Sequence, residues 1–327
     1  MANYRKISGV NVKSYSADPD RTYPSAFEGQ LYYNSSDGQF KYIGLGAGAW
    51  SSGTNMNTAR RYLGGCGIQT AALGIAGYIG GGAPGRKAIV EQYDGTSWTE
   101  IADLNAARVT VSGCGTTTAA IVSGGRLAPG PATDDCEQWN GTAWSEVADL
   151  GTARYSVVDL GTSTAAISVG GYTGSASVTV VEQWDGSSWT EVGDLNDERY
   201  NINGFGTSTA AIAAGGVDNL DKVESWDNSS WTEIAETNTD RSSGGSSGIQ
   251  TDGMIYGGAP GSKADTETWN GSSWTEVANL ATARRLVGST DGTNSSTAAI
   301  FGGMVPPGTA ATEEWTLSHA FKKVTTS

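Results

Sequence analysis

The chain has 327 residues, of which 47 are glycine, 11 tryptophan and 13 tyrosine, and its formal net charge is −14. So many aromatic residues beside only 17% charged residues argue against disorder, and the negative charge argues against binding nucleic acid. One histidine, His319, and three unclustered cysteines, Cys66, Cys114 and Cys136, exclude a multi-histidine metal site and a disulfide framework. The composition predicts a turn-rich, all-β protein without a cofactor.

The N-terminal segment differs from everything that follows it. Residues 1–28 match no other part of the chain, and they predict an extended docking arm. Val10 and Val12 alternate with polar residues, which suits a strand added to another subunit's sheet. Residues 29–48 predict a hairpin, because LYYN (31–34) and FKYI (40–43) are joined by SSDG. The start resembles no classical signal peptide, and no apolar run approaches the roughly 18 residues that a spanning helix needs, so no membrane insertion is expected.

A repeat of about 42–46 residues dominates the rest of the chain, from 49 to 316. EQYDGTSWTEIADLNAAR (91–108) returns with small changes at 137–154, 182–199, 224–241 and 267–284, and a Thr-Ala-Ala-Ile stretch ending in Gly-Gly lies between these copies. Each repeat predicts four short strands: strand a after an Arg, strand b at Ala-Ala-Ile, strand c at Glu-x-Trp and strand d at Trp-Thr-Glu. Four strands in such a repeat are typical of a β-propeller blade.

The repeat unit resembles a kelch repeat: a hydrophobic strand, Gly-Gly, a variable loop, an aromatic residue and a Trp a few residues later. The resemblance covers about residues 49–316. It implies a β-propeller of kelch-like four-stranded blades, and it says little about activity.

The number of blades follows from the strand-c aromatics, of which there are six: Tyr93, Trp139, Trp184, Trp226, Trp269 and Trp315. No strand d follows Trp315, but GAWSSGTNMNTAR around Trp50 aligns with TSWTEIADLNAAR around Trp98. The favoured arrangement therefore has six blades, with residues 49–54 completing the last blade and 317–327 forming a C-terminal tail. The alternative has seven blades, with the 29–48 hairpin and AFKKVTT (320–326) in a partial blade.

Two charged positions recur once per repeat. They are Glu91, Glu137, Glu182, Glu224, Glu267 and Glu313 in strand c, and Arg60, Arg108, Arg154, Arg199, Arg241 and Arg284 before strand a. Six acids and six bases in one register predict a repeated structural pair rather than a metal or substrate ring. The recurring Trp predict packing between blades rather than sugar stacking, and Gly-Gly predicts crowding near the axis.

The loop between strands b and c is the variable element, in length and in sequence, whereas the c–d turns hardly vary. Because b–c loops emerge on one face of a propeller, this face is the predicted binding surface; unconstrained drift is the alternative. The candidate binding residues are Arg86, Lys87, Arg126, Asp134, Asp135, Tyr172, Asp218, Asp221 and Lys263. No catalytic residue is predicted, since one His cannot supply a copper-oxidase site and the repeat Arg are spread evenly rather than clustered as in sialidases.

The segment GQLYYNSSDGQFKYIGLGAGAW and the near-identical repeats resemble tail-fibre and appendage proteins of bacteriophages. This resemblance implies a non-enzymatic protein on the virion surface, at the tail or capsid. The arm would contact other virion proteins, and the propeller would contact a host-surface glycan or protein receptor. The alternatives are a purely structural decoration or connector protein without a host ligand, and a cellular kelch adaptor. The sequence leaves the oligomeric state open, a homo-oligomer included.

Overall fold

The computed structural model describes residues 13–15, 31–80, 85–127 and 130–324, and their regular structure consists of 28 strands. None of the described residues forms a helix that could cross a membrane. The chain divides into two units, one of residues 50–316 and one of residues 1–49 with 317–327. Strands β3 (Gln39–Ser52) and β28 (Thr312–Lys323) contribute residues to both units.

The larger unit is a β-propeller of six four-stranded antiparallel blades. Blade 1 has β4 (Gly64–Ile68), β5 (Ala71–Tyr78), β6 (Arg86–Tyr93) and β7 (Trp98–Glu100). Blade 2 has β9 (Ser112–Thr116), β10 (Ala119–Ser123), β12 (Cys136–Trp139) and β13 (Trp144–Glu146), beside a small ladder of β8 (Arg108–Val109) with β11 (Arg126–Leu127). Blade 3 has β14 (Val158–Thr162), β15 (Ala165–Val169), β16 (Val181–Trp184) and β17 (Trp189–Glu191).

The remaining blades follow the same order. Blade 4 has β18 (Asn203–Gly206), β19 (Ala211–Ala214), β20 (Val223–Trp226) and β21 (Trp231–Glu233). Blade 5 has β22 (Gly245–Ile249), β23 (Asp252–Tyr256), β24 (Thr266–Trp269) and β25 (Trp274–Val277). Blade 6 has β26 (Gly288–Ser289), β27 (Thr297–Phe301), β28 and, as its outer strand, β3. The prediction of six blades is therefore confirmed.

The ring closes through the N-terminal strand, as the Trp50 alignment predicts. Strand β3 lies beside β28 in the sheet, and the Gly53 N–H donates to the Thr312 carbonyl at 2.9 Å. The Trp50 ring lies 5.5 Å from the Trp315 ring, centroid to centroid. Strand β28 continues to Lys323, so the start of AFKKVTT extends the third strand of blade 6. The seven-blade alternative is wrong, because that segment cannot also supply another blade.

The smaller unit contains β1 (Lys13–Tyr15), β2 (Leu31–Asn34) and parts of β3 and β28. Strands β2 and β3 form the predicted hairpin, with Leu31 opposite Tyr42. Strand β1 pairs with β2 in parallel, so three residues of the predicted arm form a strand that pairs within the chain. The rest of the arm, residues 1–12 and 16–28, including the predicted strand at Val10 and Val12, lies outside the described residues, as do residues 29–30.

The c–d turns explain why Asp or Asn recurs there. The side-chain Oδ1 of Asp94 accepts the backbone N–H groups of Thr96 and Ser97, both at 2.8 Å. The Thr96 hydroxyl donates to the same oxygen at 2.7 Å, and this bond, together with the two backbone bonds, stabilises the carboxylate and lowers the pKa of Asp94 to about 2. The same turn is built by Asn140, Asp185, Asp227 and Asn270 in the following blades. A turn stabilised by an Asp or Asn side chain in this way can connect two strands over few residues.

Paired aromatic rings fill each blade where strands c and d meet. Five pairs come from within one repeat, with ring centroids 5.0–5.4 Å apart: Tyr93–Trp98, Trp139–Trp144, Trp184–Trp189, Trp226–Trp231 and Trp269–Trp274. The sixth is Trp50–Trp315, made by the two ends of the propeller. All six strand-c aromatics are buried, so these rings are packing residues.

The Gly-Gly pair at the end of strand b joins neighbouring blades. In blade 2, Gly124 and Gly125 have φ of 56° and 111°, and the Gly125 N–H donates to the Arg154 carbonyl of blade 3 at 2.9 Å. A Cβ on Gly124 would collide with that carbonyl oxygen. Crowding is therefore only part of the reason for glycine; the left-handed backbone is the other. Blade 1 has Ala76 at this place, with φ of 57° and a shift in the strand register.

Candidate functional site

Each recurring Glu lies against the recurring Arg of its own blade. The six pairs are Arg60–Glu91, Arg108–Glu137, Arg154–Glu182, Arg199–Glu224, Arg241–Glu267 and Arg284–Glu313. Both side chains of every pair are at most 4% exposed. Solvent and ligands have almost no access to them, which places these residues in the scaffold.

The pair in blade 2 shows what the arrangement holds together. Arg108 Nη2 donates to Glu137 Oε1 at 2.7 Å, and Nη1 donates to the carbonyls of Gly124 and Asp135 at 2.9 and 2.6 Å. Glu137 Oε2 accepts the N–H of Asn105, in the link that enters the blade, at 2.8 Å. One ion pair therefore ties together strand b, strand c and the incoming link. Burial lowers the pKa of the equivalent Arg60 to about 10, although Glu91 acts in the opposite direction.

A closed ring of backbone hydrogen bonds encircles the propeller axis. It is made by the second residue after each repeat Arg: Tyr62, Thr110, Ser156, Asn201, Ser243 and Leu286. The N–H of each of these residues donates to the carbonyl of the equivalent residue in the preceding blade, and the N–H of Tyr62 in blade 1 donates to Leu286 in blade 6. The N···O distances are 2.8–3.0 Å. All six have φ between 54° and 58°, an unusual conformation for residues other than glycine. Their backbone groups are satisfied within the ring, which leaves only side chains to contact a ligand there.

A cavity of about 110 Å³ lies along the axis, lined by this ring and by the inner strands. Asp159 and Asp291 are its acidic groups. Asp159 accepts hydrogen bonds from Ser123 Oγ at 2.7 Å and the Ser123 N–H at 3.2 Å. Burial nevertheless raises the pKa of Asp159 to about 6, and it raises that of Asp291 well above its usual range. In the part of the chain described here, no group of three or more His, Cys, Asp or Glu is placed to hold a metal ion.

Two positions per blade lie at the b–c face, and their side chains are exposed or half-buried except for the buried Val109 and Ser242. One follows the repeat Arg and the other follows the strand-b Gly-Gly, and they face each other across an antiparallel bridge. The six pairs are Arg61–Tyr78, Val109–Arg126, Tyr155–Tyr172, Tyr200–Val217, Ser242–Ala259 and Arg285–Met304. Basic and aromatic residues concentrate in blades 1–4, whereas blade 5 has small ones. The basic and aromatic side chains are therefore distributed unevenly around the b–c face.

A pocket of about 460 Å³ opens over blades 1–4 on this face. Its lining consists of Arg61, Tyr62, Tyr78, Arg86, Val109, Thr110, Arg126, Tyr155, Ser156, Tyr200 and Asn201. Three arginines and four tyrosines thus surround it, and no carboxylate is among these lining residues. Four of the lining residues, Tyr62, Thr110, Ser156 and Asn201, belong to the backbone ring, which also lines the axial cavity.

None of the three pocket arginines forms an ion pair with a described residue. Arg61 packs over the Tyr78 ring at 5.1 Å, and its Nη1 donates to the Pro307 carbonyl at 2.5 Å. Arg126 lies 5.9 Å from the Tyr155 ring. Burial lowers the pKa of Arg86, with the Arg126 charge as the second cause, and Arg86 Nη1 is buried without a hydrogen-bond partner among the described residues. The pocket therefore holds unneutralised positive charge.

The tyrosines continue as a chain of rings. The Tyr172 ring lies 5.5 Å from that of Tyr155 and 5.1 Å from that of Tyr200. Burial raises the pKa of Tyr200, and Asp218, Tyr172 and Tyr155 act in the same direction. The Tyr200 phenol is therefore a neutral hydrogen-bond donor near neutral pH.

The structure brings together only some of the nine candidate residues. Arg86 and Arg126 line the pocket, and Tyr172 stacks beside it. The other six do not line it: Lys87 follows Arg86 on β6, Asp218 accepts the Ser177 hydroxyl at 2.6 Å, and the remainder are Asp134, Asp135, Asp221 and Lys263. Part of two b–c loops, residues 81–84 and 128–129, lies outside the described residues.

Sequence reasoning missed five pocket residues: Tyr78, which ends β5, and Arg61, Tyr62, Tyr155 and Tyr200, which lie between a repeat Arg and strand a. A signal was present in the repeat. The residue after each Arg differs from blade to blade inside an otherwise constant stretch, and variation at one position of a constant scaffold is typical of a binding surface. The evenly spaced repeat Arg dominate the sequence pattern. The sequence therefore does not reveal that three other arginines, Arg61, Arg86 and Arg126, form a cluster.

No protein-family model and no curated protein matches the sequence. Among solved structures, the chain is similar to the structure of YjhT, with a TM-score of 0.65 at 14% sequence identity. The similarity covers 83% of this chain and 99% of that one. At this identity the likeness concerns the fold alone. The fold is a six-bladed kelch-like β-propeller.

Proposed function

We propose that this protein is a non-enzymatic component of a phage virion surface, and that the b–c face of its propeller binds a molecule of the host surface. The observation that carries the binding role is the pocket over blades 1–4, where three arginines without carboxylate partners meet four tyrosines. Concave sites with a few convergent polar groups on a rigid scaffold are typical of ligand binding. The six buried ion pairs supply that rigidity.

The lining of the pocket favours binding over catalysis. Hydrolytic and acid–base chemistry needs a carboxylate, an imidazole or an activated nucleophile within hydrogen-bond reach of the substrate. The described residues that line the pocket include none of these groups. The cysteines are buried, and burial raises the pKa of Cys66 and Cys114 well above the usual value, which disfavours the reactive thiolate.

The virion location rests on the resemblance of the hairpin segment and the repeats to phage appendage proteins. Basic residues gather in the arm at Arg5, Lys6, Lys13 and Arg21, in a chain whose net charge is −14. A basic arm could therefore dock on an acidic surface of another virion protein while the propeller faces outward.

Two measurements test this function. The purified chain should bind host cells, and excess chain should inhibit adsorption of the phage. A truncation starting at residue 29 should remain folded, because it keeps β2 and β3, but should no longer enter particles. Normal incorporation of the truncated chain would overturn the role of the arm. A chain that enters particles but never binds cells would instead be a structural decoration protein, the alternative function.

A further inference from the structure

We propose that the pocket over blades 1–4 binds an acidic saccharide, whose anionic group pairs with Arg86 and Arg126 while a sugar ring packs on the surrounding tyrosines. This inference rests on the proposed binding function and specifies the ligand class at the same site. The shared chemistry is one carboxylate or sulfate group on a sugar.

The first argument is the local charge. Arg86 and Arg126 line the same pocket, the Arg126 charge disfavours the charged form of Arg86, and neither forms an ion pair with a described residue. Two like charges in a partly buried site are unfavourable unless an anion joins them. The guanidinium group presents its donors as a planar fork, which matches the two oxygens of a carboxylate or a sulfate. Arg86 Nη1, buried without a partner, is a donor that such an anion would satisfy.

The second argument is the aromatic wall and the polar floor. Tyr155 and Tyr200 line the pocket, and the Tyr172 ring contacts both of their rings. Tyrosine offers an apolar face for the C–H groups of a sugar and a hydroxyl for its oxygens. Ser156 and Asn201 add polar side chains from the backbone ring at the floor. A pocket of about 460 Å³ has the size of sites that hold one or two small rings.

The third argument separates a saccharide from an acidic protein. The chain carries a net charge of −14, so a large acidic partner would be repelled by most of the surface that it approaches. A saccharide with an isolated anionic group interacts electrostatically mainly with the nearby arginines. Its interactions with charges more than about 10 Å away are largely screened by salt. The observations therefore favour a small anionic group in a concave site over an extended acidic interface.

The test compares matched variants of the full chain. Arg86→Gln with Arg126→Gln removes two pocket charges, and Arg285→Gln removes one charge from blade 6 of the same face, outside the pocket. The probes are a glucuronate-containing tetrasaccharide, a sulfated galactose tetrasaccharide and a neutral glucose tetrasaccharide, measured by calorimetry at two salt concentrations. Thermal unfolding of each variant establishes that it is folded.

We expect an acidic probe to bind at least about tenfold more tightly than the neutral one, because charge-assisted hydrogen bonds to arginine are the strong ones. The double variant should lose at least about tenfold of that affinity, and Arg285→Gln should change it by less than about threefold. The carboxylated and sulfated probes show which anion the site takes.

Other outcomes have distinct meanings. If the chain binds host cells but prefers the neutral probe, or if the double variant binds as well as the unchanged chain, the inference is wrong and the proposed function stands. If protease treatment of the host cells abolishes binding while removal of their acidic glycans does not, the ligand is a protein and the inference is again wrong. If the chain binds neither cells nor any probe, the proposed function itself fails.

Discussion

At the scale of single residues, the repeated Arg–Glu pair links three segments of each blade through buried hydrogen bonds. Arg108 and Glu137 are almost fully buried, and each makes several hydrogen bonds besides the ion pair. Such a buried pair adds little over an apolar replacement of both partners, but loss of one partner leaves an unpaired buried charge. The pair therefore makes the packing of strand b, strand c and the link specific.

Glu137→Gln should lower the free energy of unfolding by about 3 kcal/mol, because Arg108 would remain charged and buried without its anion. The measurement is urea denaturation of the two proteins at pH 7. The matched control is Glu233→Gln, whose partner Lys222 is partly exposed and whose own side chain is 49% exposed. This surface pair should change stability by less than about 1 kcal/mol. Similar losses for both variants would contradict the structural role of the buried pairs.

The axial cavity makes stability depend on pH. Burial raises the pKa of Asp159 from its ordinary value of 3.8 to about 6. Between these pH values the folded chain keeps a proton that the unfolded chain has released, so stability decreases as pH rises from about 4 to about 6 and then levels off for this group. The Asp291 carboxyl acts in the same direction.

For Asp159→Asn, the decrease in unfolding free energy between pH 4 and pH 6 should be smaller than in the unchanged chain by roughly 2–3 kcal/mol. Asp94→Asn serves as the control, because its pKa is lowered to about 2 and its titration lies below this window. Denaturation curves at half-unit steps of pH measure both. An identical pH dependence for Asp159→Asn and the unchanged chain would show that Asp159 is not protonated in the folded state.

At the scale of strands, the end of strand b decides how one blade meets the next. The Gly125 N–H reaches the Arg154 carbonyl, and equivalent bonds leave Gly171, Gly216, Gly258 and Gly303 for the next blade's Arg. The first glycine of the pair must adopt a left-handed backbone and must pass close to that carbonyl. Glycine is required by this inter-blade contact and not by strand b alone.

Gly124→Ala should destabilise the propeller by at least about 2 kcal/mol, since the new methyl group adds left-handed strain and collides with the Arg154 carbonyl. The reverse change in blade 1, Ala76→Gly, should alter stability by no more than about 1 kcal/mol, because that site already accommodates a methyl group. Thermal and urea unfolding compare the two variants. Equal effects of the two substitutions on stability would mean that the inter-blade contact does not require glycine at position 124.

At the scale of the whole molecule, the propeller depends on a strand from the opposite end of the chain. Trp50 on β3 stacks on Trp315, contacts Tyr256 at 4.8 Å, and donates from its Nε1 to Thr266 Oγ1 at 3.0 Å. The closing strand therefore contacts blade 5 as well as blade 6. Without it, β28 would be an open edge, which is prone to pairing with other chains.

A truncation starting at residue 54 should unfold at a lower temperature than one starting at residue 29, and it should associate in solution. The first removes β3 and Trp50, whereas the second keeps both. Loss of a packed Trp alone costs about 3–5 kcal/mol, and the exposed edge adds the tendency to associate. Differential scanning calorimetry and light scattering measure the two effects. Equal melting temperatures would contradict closure by the N-terminal strand.

The sequence by itself determined the features that the repeat expresses at every copy. The strand order, the capped c–d turns, the Arg–Glu register and the closing alignment of Trp50 with Trp98 could be predicted because each depends on local spacing repeated along the chain. Because the pattern occurs six times, a local exception such as Ala76 does not prevent its recognition. The predicted docking of the arm stays a prediction, because most of it lies outside the described residues.

Only the tertiary structure decided where the candidate site lies. Arg61, Arg86 and Arg126 are separated along the chain, and they converge because the corresponding positions of blades 1 and 2 lie on the same b–c face of the ring. The left-handed ring of Tyr62, Thr110 and their equivalents also has no local signal, because each of its hydrogen bonds joins two different blades. Repetition reveals what each blade has in common, whereas a binding site arises from the differences between blades, which only the closed ring brings together.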